Sequence, residues 1–296
     1  MEKREMICYV NGKFVPESQA KISVYDHGFL YGDGVFEGIR VYNGRIFRCD
    51  DHVERLFDSA KMINLQIPMS KEEYKELLIK AVRRNGLREA YLRAVISRGV
   101  GTRLVSTEPG LKPTVVVIVH PDPLVLKRET ASAIVSSVRR IPLVCLPTTA
   151  KLTHYINNLL AGMEARRAGA TEAIMCDLNG NVVEMTGANI FIVKNGVLIT
   201  PPLASGLLPG VTRRVVIEIA DELGIPVQER NIVVPELLLA EEIFTTATRS
   251  EIIALVEVDG KPIGEGGVGP ITLKIKEKFE EKKQDPSQGT PVYEKY

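Results

Sequence analysis

The sequence predicts an α+β fold, and two observations carry that prediction. Asn11-Gly12, Asn43-Gly44, Asn179-Gly180, Asn195-Gly196 and Asp259-Gly260 each sit between strand-like runs. Such dipeptides supply the positive φ angles that tight hairpin turns require. Amphipathic helical patterns are interspersed with these hairpins, and that mixture favours α+β over a doubly wound sheet.

Taken in order, residues 7–15 and 35–47 read as the first two antiparallel hairpins. Two amphipathic helices follow. Asp51 is the expected cap of the first, over 51–63, and Ser70 caps the second, with Glu73 completing a capping box before a run to Arg84. Strands are expected at 91–97 and 114–120. Pro121-Asp122-Pro123 then breaks the pattern, so we expect a domain over 1–122, a linker over 123–128 and a second domain over 129–296. The second domain begins with a strand at 131–138 and a Pro/Thr-rich loop that runs into a helix ending near 167. Hairpins at 173–184 and 189–200 follow, then a helix at 211–223, a strand at 227–232, a short helix at 235–239 and a strand at 243–247. A hairpin at 252–263 and a last helix at 271–282 close the pattern. The tail after Lys283 has loop composition.

Composition narrows the function classes. The 296 residues suffice for one large or two medium domains, and 45% apolar with 25% charged residues is ordinary for a soluble chain. A net charge of +1 argues against a nucleic-acid or membrane-surface partner. There is no signal-peptide core and no apolar run long enough to span a bilayer. Cys8, Cys49, Cys145 and Cys176 lack paired spacing, and with His27, His52, His120 and His154 they suggest no metal site. The expectation is a reduced cytoplasmic protein.

The candidate site residues begin with Lys151, at the junction of the Pro/Thr-rich loop and the expected helix. Its bland reading is a solvated charge. No acidic residue lies near it in sequence, however, and apolar or hydroxyl side chains flank it. A desolvated lysine has a lowered pKa and can act as an amine nucleophile or proton shuttle. Gly206-Leu207-Leu208-Pro209-Gly210-Val211-Thr212-Arg213 is a turn opening into a helix, whose free amides suit an anion. Thr245-Thr246-Ala247-Thr248-Arg249-Ser250 is a second hydroxyl-rich candidate. Glu184 ends an apolar strand, where a carboxylate can pair with a protonated heterocyclic nitrogen or simply face water. Tyr31-Gly32-Asp33-Gly34-Val35-Phe36-Glu37-Gly38-Ile39-Arg40 mimics a dinucleotide fingerprint, but its glycines run into a strand rather than a helix. Arg40 shares a strand face with Phe36 and Gly38, so it either reaches the same ligand or lies exposed. Arg55 on the first helix and Arg93 inside an apolar strand can each bind an anion.

In this order, these segments resemble the fold-type IV pyridoxal-phosphate enzymes, and within them the branched-chain amino acid aminotransferases. The resemblance rests on 31–40, on His52-Val53-Glu54-Arg55-Leu56, on Lys151 with Tyr155, on 184–191 and on 208–213. It implies a two-domain architecture like that of D-amino acid aminotransferase, with pyridoxal 5′-phosphate at the domain interface. It implies that Lys151 is the Schiff-base lysine and proton shuttle, Glu184 the partner of the pyridine nitrogen, and Tyr155 the donor to the phenolic oxygen. Arg55, the amides of Val211 and Thr212, and Thr248 would hold the phosphate, with Leu208 packed on the ring. Tyr91 and the backbone at Thr248 and Arg249 would take the α-carboxylate. Tyr31, Phe36 and Gly38 would line the side-chain pocket, with Tyr31 lent by a second subunit, and Arg93 would meet the distal carboxylate of glutamate.

The implied activity is ping-pong transamination of leucine, isoleucine and valine with 2-oxoglutarate by a homodimer or larger homo-oligomer. Two features depart from the pattern. Ala247-Thr248-Arg249-Ser250 places a long cation near the carboxylate site. The loop 97–103 is similar to that of the D-amino acid branch, with Arg103 at that branch's carboxylate arginine and Val105 in place of its histidine. The alternatives are therefore a D-amino acid aminotransferase or an aminodeoxychorismate lyase of the same fold. From another class, the alternative is a phosphate-ligand binding protein.

Overall fold

The computed structural model describes residues 5–101, 110–121 and 128–293. The chain divides into two compact units: Met1–Val125 with Ala150–His154 and Lys283–Tyr296, and Leu126–Thr149 with Tyr155–Lys282. The first half of the chain supplies β1 (Ile7–Val10), β2 (Lys13–Pro16), α1 (His27–Tyr31), β3 (Gly34–Tyr42), β4 (Arg45–Phe47), α2 (Cys49–Met62), α3 (Lys71–Asn85), β5 (Ala90–Ser97) and β6 (Thr114–Pro121). Then come β7 (Thr130–Val135), α4 (Ile156–Arg167), β8 (Glu172–Cys176), β9 (Val182–Met185), β10 (Asn189–Lys194), β11 (Val197–Thr200), α5 (Val211–Glu222) and β12 (Val227–Glu229). The last elements are α6 (Val234–Leu238), β13 (Glu242–Ala247), β14 (Glu251–Val258), β15 (Lys261–Pro262), α7 (Pro270–Gln284) and β16 (Gly289–Pro291).

The first unit holds a seven-stranded sheet in the order β16-β4-β3-β5-β6-β1-β2. Strand alternation gives its two faces different chemistry. Val35, Glu37, Ile39 and Val41 of β3 lie opposite Ile96, Ala94, Leu92 and Ala90 of β5, and all eight are buried. This face carries α2 and α3, which bury Val53, Leu56 and Ala60, and Tyr74, Leu77, Leu78, Ala81 and Val82, at helical spacing. The other face shows Phe36, Gly38 and Arg40 beside Val95, Arg93 and Tyr91.

The second unit holds a nine-stranded sheet in the order β12-β11-β10-β13-β14-β7-β8-β9, with β15 on β14. Its core includes Ile174, Val182, Met185, Ile190, Ile192, Ile232 and Leu237. On one side α4 presses Ala161 and Ala165 onto Ala173 and Met175 of β8. No helix among the described residues is long and apolar enough to cross a membrane.

Local chemistry explains most element ends. Asn11 and Gly12 (φ 46° and 90°), Asn43 and Gly44 (51° and 75°), Asn195 and Gly196 (52° and 71°) and Asp259 and Gly260 (49° and 71°) all have the paired positive φ of type I′ turns. At Asn179-Gly180 only Gly180 is left-handed. There the Asp177 side chain accepts from the amides of Asn179 and Asn181 at 2.9 and 2.8 Å and shapes the turn instead. The capping box forms as expected: the Glu73 amide donates to Ser70 Oγ at 3.1 Å, and the Ser70 amide to Glu73 Oε2 at 2.7 Å. Asp51 does not cap α2, which starts two residues earlier behind a left-handed Arg48. Asp51 sits in the first turn, where its charge favours the helix N-terminus.

The expected domain boundaries differ from the observed units in two places. Residues 150–154 and 283–296, assigned to 129–296 by sequence, belong to the first unit. Lys151 is therefore not carried by the second unit. Main-chain hydrogen bonds override chain order: the Phe36 amide donates to the Lys151 carbonyl at 3.0 Å, the Thr153 amide to the Gly34 carbonyl at 2.9 Å, and Val35 bridges Leu152. The tail, expected as loop, forms β16 and pairs Gly289 and Thr290 with Phe47 and Ile46 of β4. Most of the expected linker, like Arg103 and Val105, lies outside the described residues.

Candidate active site

Lys151 is placed differently from the sequence expectation. The following helix begins only at Ile156, and Lys151 lies on a strand-like segment along β3. The Val35–Leu152 bridge sets Lys151 directly opposite Phe36, so both project from the same sheet face. The Lys151 Nζ stands 4.7 Å from the Phe36 ring centre, and Arg93 lays its guanidinium carbon 3.5 Å from that same centre. A cation over a partly desolvated ring gains about 1 kcal/mol. Gly38 is required here. A Cβ at position 38 would stand 2.1 Å from the Tyr91 hydroxyl, so only glycine lets that phenol cross the strand.

Phe36, Gly38, Arg40, Tyr91, Arg93 and Lys151, all singled out by sequence, thus share one face of one unit. Arg40 is buried at 4% exposure, with its guanidinium carbon 4.9 Å from the Tyr42 ring centre, which removes its reading as an exposed strand residue. Tyr31 ends the short α1, half-buried and edge-on to His27 at 5.1 Å.

Arg55 lies on the helix-covered side. Its Nε and Nη2 donate to Glu37 Oε1 and Oε2 at 2.7 and 2.8 Å, and His52 Nδ1 meets Glu37 Oε2 at 2.8 Å. Burial alone would raise the Glu37 carboxyl, but the Arg55 guanidinium and then His52 outweigh it and hold it far below the usual carboxylate range. Burial lowers His52 against the pull of Glu37, so the ring is neutral near pH 7. One turn further along α2, Ser59 Oγ accepts the Lys151 amide at 2.9 Å.

The second unit holds the other candidates. Glu184 on β9 is buried at 5% exposure, not the surface strand-end carboxylate of its bland reading. Its Oε1 accepts from Arg140 Nε at 2.9 Å. Its Oε2 accepts from the Leu208 amide at 3.1 Å and from Asn189 Nδ2 at 3.4 Å. Helix α5 opens at Val211 behind Gly210 with no side-chain cap, and both Val211 and Thr212 are buried. A Cβ on Gly210 would stand 2.0 Å from Asn189 Oδ1, so the approach to these amides has room only for glycine. Tyr155 is half-buried just ahead of α4. Thr248 is half-buried and Arg249 exposed in the turn after β13.

Sequence reasoning missed Glu37, His52, Ser59, Arg140 and Asn189. A signal existed for part of this set. His52, Arg55 and Ser59 fall at helical spacing, and Glu37 is the charged residue on the inward-facing alternation Val35, Ile39, Val41.

Each unit holds donors suited to part of a phosphorylated heterocyclic aldehyde: in the second, uncapped helix amides and a threonine hydroxyl for an anion and a buried carboxylate for a ring nitrogen; in the first, an amine beside an aromatic ring. Among the described residues there is no His, Cys, Asp and Glu group able to hold a metal.

The family described as Amino-transferase class IV matches residues 34–258. The branched-chain-amino-acid aminotransferase of Salmonella typhimurium is 39% identical over 286 residues, covering 94% of this chain and 93% of its own. The branched-chain aminotransferase of the thermophilic archaeon Thermoproteus uzoniensis, solved with norvaline, has a TM-score of 0.93 at 40% identity over 98% of this chain and 100% of that one. A T.th. branched-chain amino acid aminotransferase, complexed with N-(5′-phosphopyridoxyl)-L-glutamate, has a TM-score of 0.92 at 37% identity over 98% and 99% of the two chains. The expected fold-type IV α+β architecture is borne out by these neighbours. The chain therefore belongs to the class IV aminotransferases, a pyridoxal-phosphate-dependent enzyme family, and within them to the branched-chain-amino-acid aminotransferases.

Proposed function

We propose that this chain transfers the amino group of branched-chain L-amino acids to 2-oxoglutarate, with Lys151 as the reacting amine. The observation that carries the reading is the single sheet face where Lys151, the Phe36 ring and the Arg93 guanidinium meet. One pocket must accept both a leucine-like side chain and the carboxylate of glutamate. The Phe36 ring serves the first, and the Arg93 guanidinium stacked on that ring serves the second. Norvaline and a glutamate adduct in the solved relatives have the same two side-chain types.

Pyridoxal phosphate supplies the electrophilic carbon and the electron sink when bound. Lys151 Nζ would take the substrate Cα proton and hold it for return within the same half-reaction. Glu184 would hold the proton of the pyridine nitrogen, and Tyr155 would donate to the phenolic oxygen. Arg55, the amides of Val211 and Thr212, and Thr248 would hold the phosphate, and Leu208 would pack on the ring. Tyr91 with the backbone at Thr248 and Arg249 binds the α-carboxylate, while Gly38 and Arg40 line the pocket. The first half-reaction releases a 2-oxo acid, and 2-oxoglutarate accepts the amino group in the second.

The reading includes a homodimer in which Tyr31 serves the partner's pocket. The exposed Ile22, Val24, Phe29 and Leu30 beside Tyr31 give an apolar surface suited to a second copy. The test is a screen of both enantiomers of leucine, valine and alanine with 2-oxoglutarate. Turnover of L-leucine and L-valine is expected. Preference for D-alanine, or release of pyruvate from aminodeoxychorismate without an amino acceptor, overturns it.

A further inference from the structure

Glu37 is a carboxylate with 0% exposure on a strand face otherwise made of Val35, Ile39 and Val41. Three donors converge on it. Two belong to Arg55 and one to His52, and both of those residues are also buried. For stability alone this is a poor choice. Apolar side chains of similar volume in place of a buried ion pair are often neutral or stabilising. What the pair provides instead is geometry, because Glu37 grips the Nε–Nη2 edge of the guanidinium as a planar fork. That grip turns the opposite edge, with Nη1, away from Glu37.

We infer that Glu37, with His52 as its second donor, is the positioning residue of Arg55 and presents the Nη1 edge of that guanidinium to the phosphate of the cofactor. The inference rests on the reading of Arg55 as a phosphate residue. The charges support it. An ionised carboxylate can only accept, so the proton shared with His52 resides on the ring nitrogen Nδ1. His52 then adds a donor without adding charge, and one carboxylate balances one guanidinium. Arg55 is thereby held in place before any anion arrives, which lowers the ordering cost of binding. The same stripe of α2 continues to Ser59, whose hydroxyl accepts the Lys151 amide. One helix face therefore orients the phosphate arginine and fixes the main chain of the reactive lysine.

The test compares binding of pyridoxamine 5′-phosphate and of pyridoxamine to the full chain, since neither ligand needs to react with Lys151. Glu37→Asp keeps the charge that pairs buried Arg55 but withdraws the carboxylate by one methylene, so it guards against the misfolding that Glu37→Gln risks. Both variants are expected to lose at least about tenfold in preference for the phosphorylated ligand, the equivalent of one charge-assisted hydrogen bond. Pyridoxamine affinity should stay unchanged, and adding Glu37→Asp to Arg55→Lys should cost nothing further. A purely structural role weakens both ligands in parallel, and that result overturns the inference. So does a Glu37→Asp protein with wild-type preference, or effects of the two variants that simply add. If Arg55→Lys itself keeps the preference, the phosphate reading of Arg55 fails. If Arg55→Lys loses it and Glu37→Asp does not, only the positioning role fails.

Discussion

Each unit buries one carboxylate against an arginine, and the two are held differently. Glu37 is enclosed at 0% exposure, with bonds of 2.7, 2.8 and 2.8 Å from two residues on one helix. Glu184 keeps 5% exposure, with bonds of 2.9, 3.1 and 3.4 Å from Arg140, the Leu208 amide and Asn189, which lie on separate segments. Short bonds from a single rigid element serve a framework. Longer bonds gathered from several segments serve a group that must still meet a ligand. On the proposed function the same residue type takes two roles, and its surroundings assign them.

The largest expected effect lies in the first unit. Lys151→Ala should lower leucine-to-2-oxoglutarate transfer by at least about a thousandfold, the scale of losing a positioned base. Turnover near the wild-type rate would sink the reading. The two carboxylates should then separate. Glu184→Gln is expected to cost about a hundredfold in turnover with a smaller shift of the urea midpoint than Glu37→Gln gives. Glu37→Gln should cost about 3 kcal/mol of stability by removing the carboxylate charge that balances the buried Arg55 guanidinium. Equal midpoint shifts for the two variants would break the comparison.

Arg93→Ala should raise the KM for 2-oxoglutarate by about tenfold and that for leucine much less. Equal rises count against its assigned role. Stability should also depend on pH through the Glu37 cluster. His52 has a lowered pKa in the fold, so below about 6.5 the unfolded chain takes up a proton that the folded chain refuses, and stability falls with acidification. Glu37, whose pKa is held down, contributes stability above about 4.3 that is lost as the pH drops further. Urea midpoints of wild type and His52→Gln should therefore converge toward pH 5; parallel curves would rule out the buried neutral ring. The smallest effect is a control remote from both carboxylates: Ser70→Ala should cost about 1 kcal/mol with activity unchanged.

Features fixed by neighbouring residues were readable in the sequence. Four hairpin turns formed as paired left-handed dipeptides, and the Ser70–Glu73 box closed, because each depends on a few adjacent residues. Long-range features were not readable. Lys151 joins β3 through partners more than a hundred positions away, and no periodicity encodes that. Phe36, Gly38 and Arg40 were placed on one sheet face because strand alternation is a local rule. Arg140 and Asn189 escaped because their meaning comes only from Glu184, reached across 44 and 5 positions.

The strand β16 has a consequence for synthesis. The first sheet takes its outer strand from residues 289–291 and its Lys151 segment from 150–154, so it is sewn from three separated lengths of polypeptide. A ribosome that has released only the opening 125 residues has exported a sheet whose β4 rim is still open to unwanted pairing. Completion waits until residues 289–291 have been made.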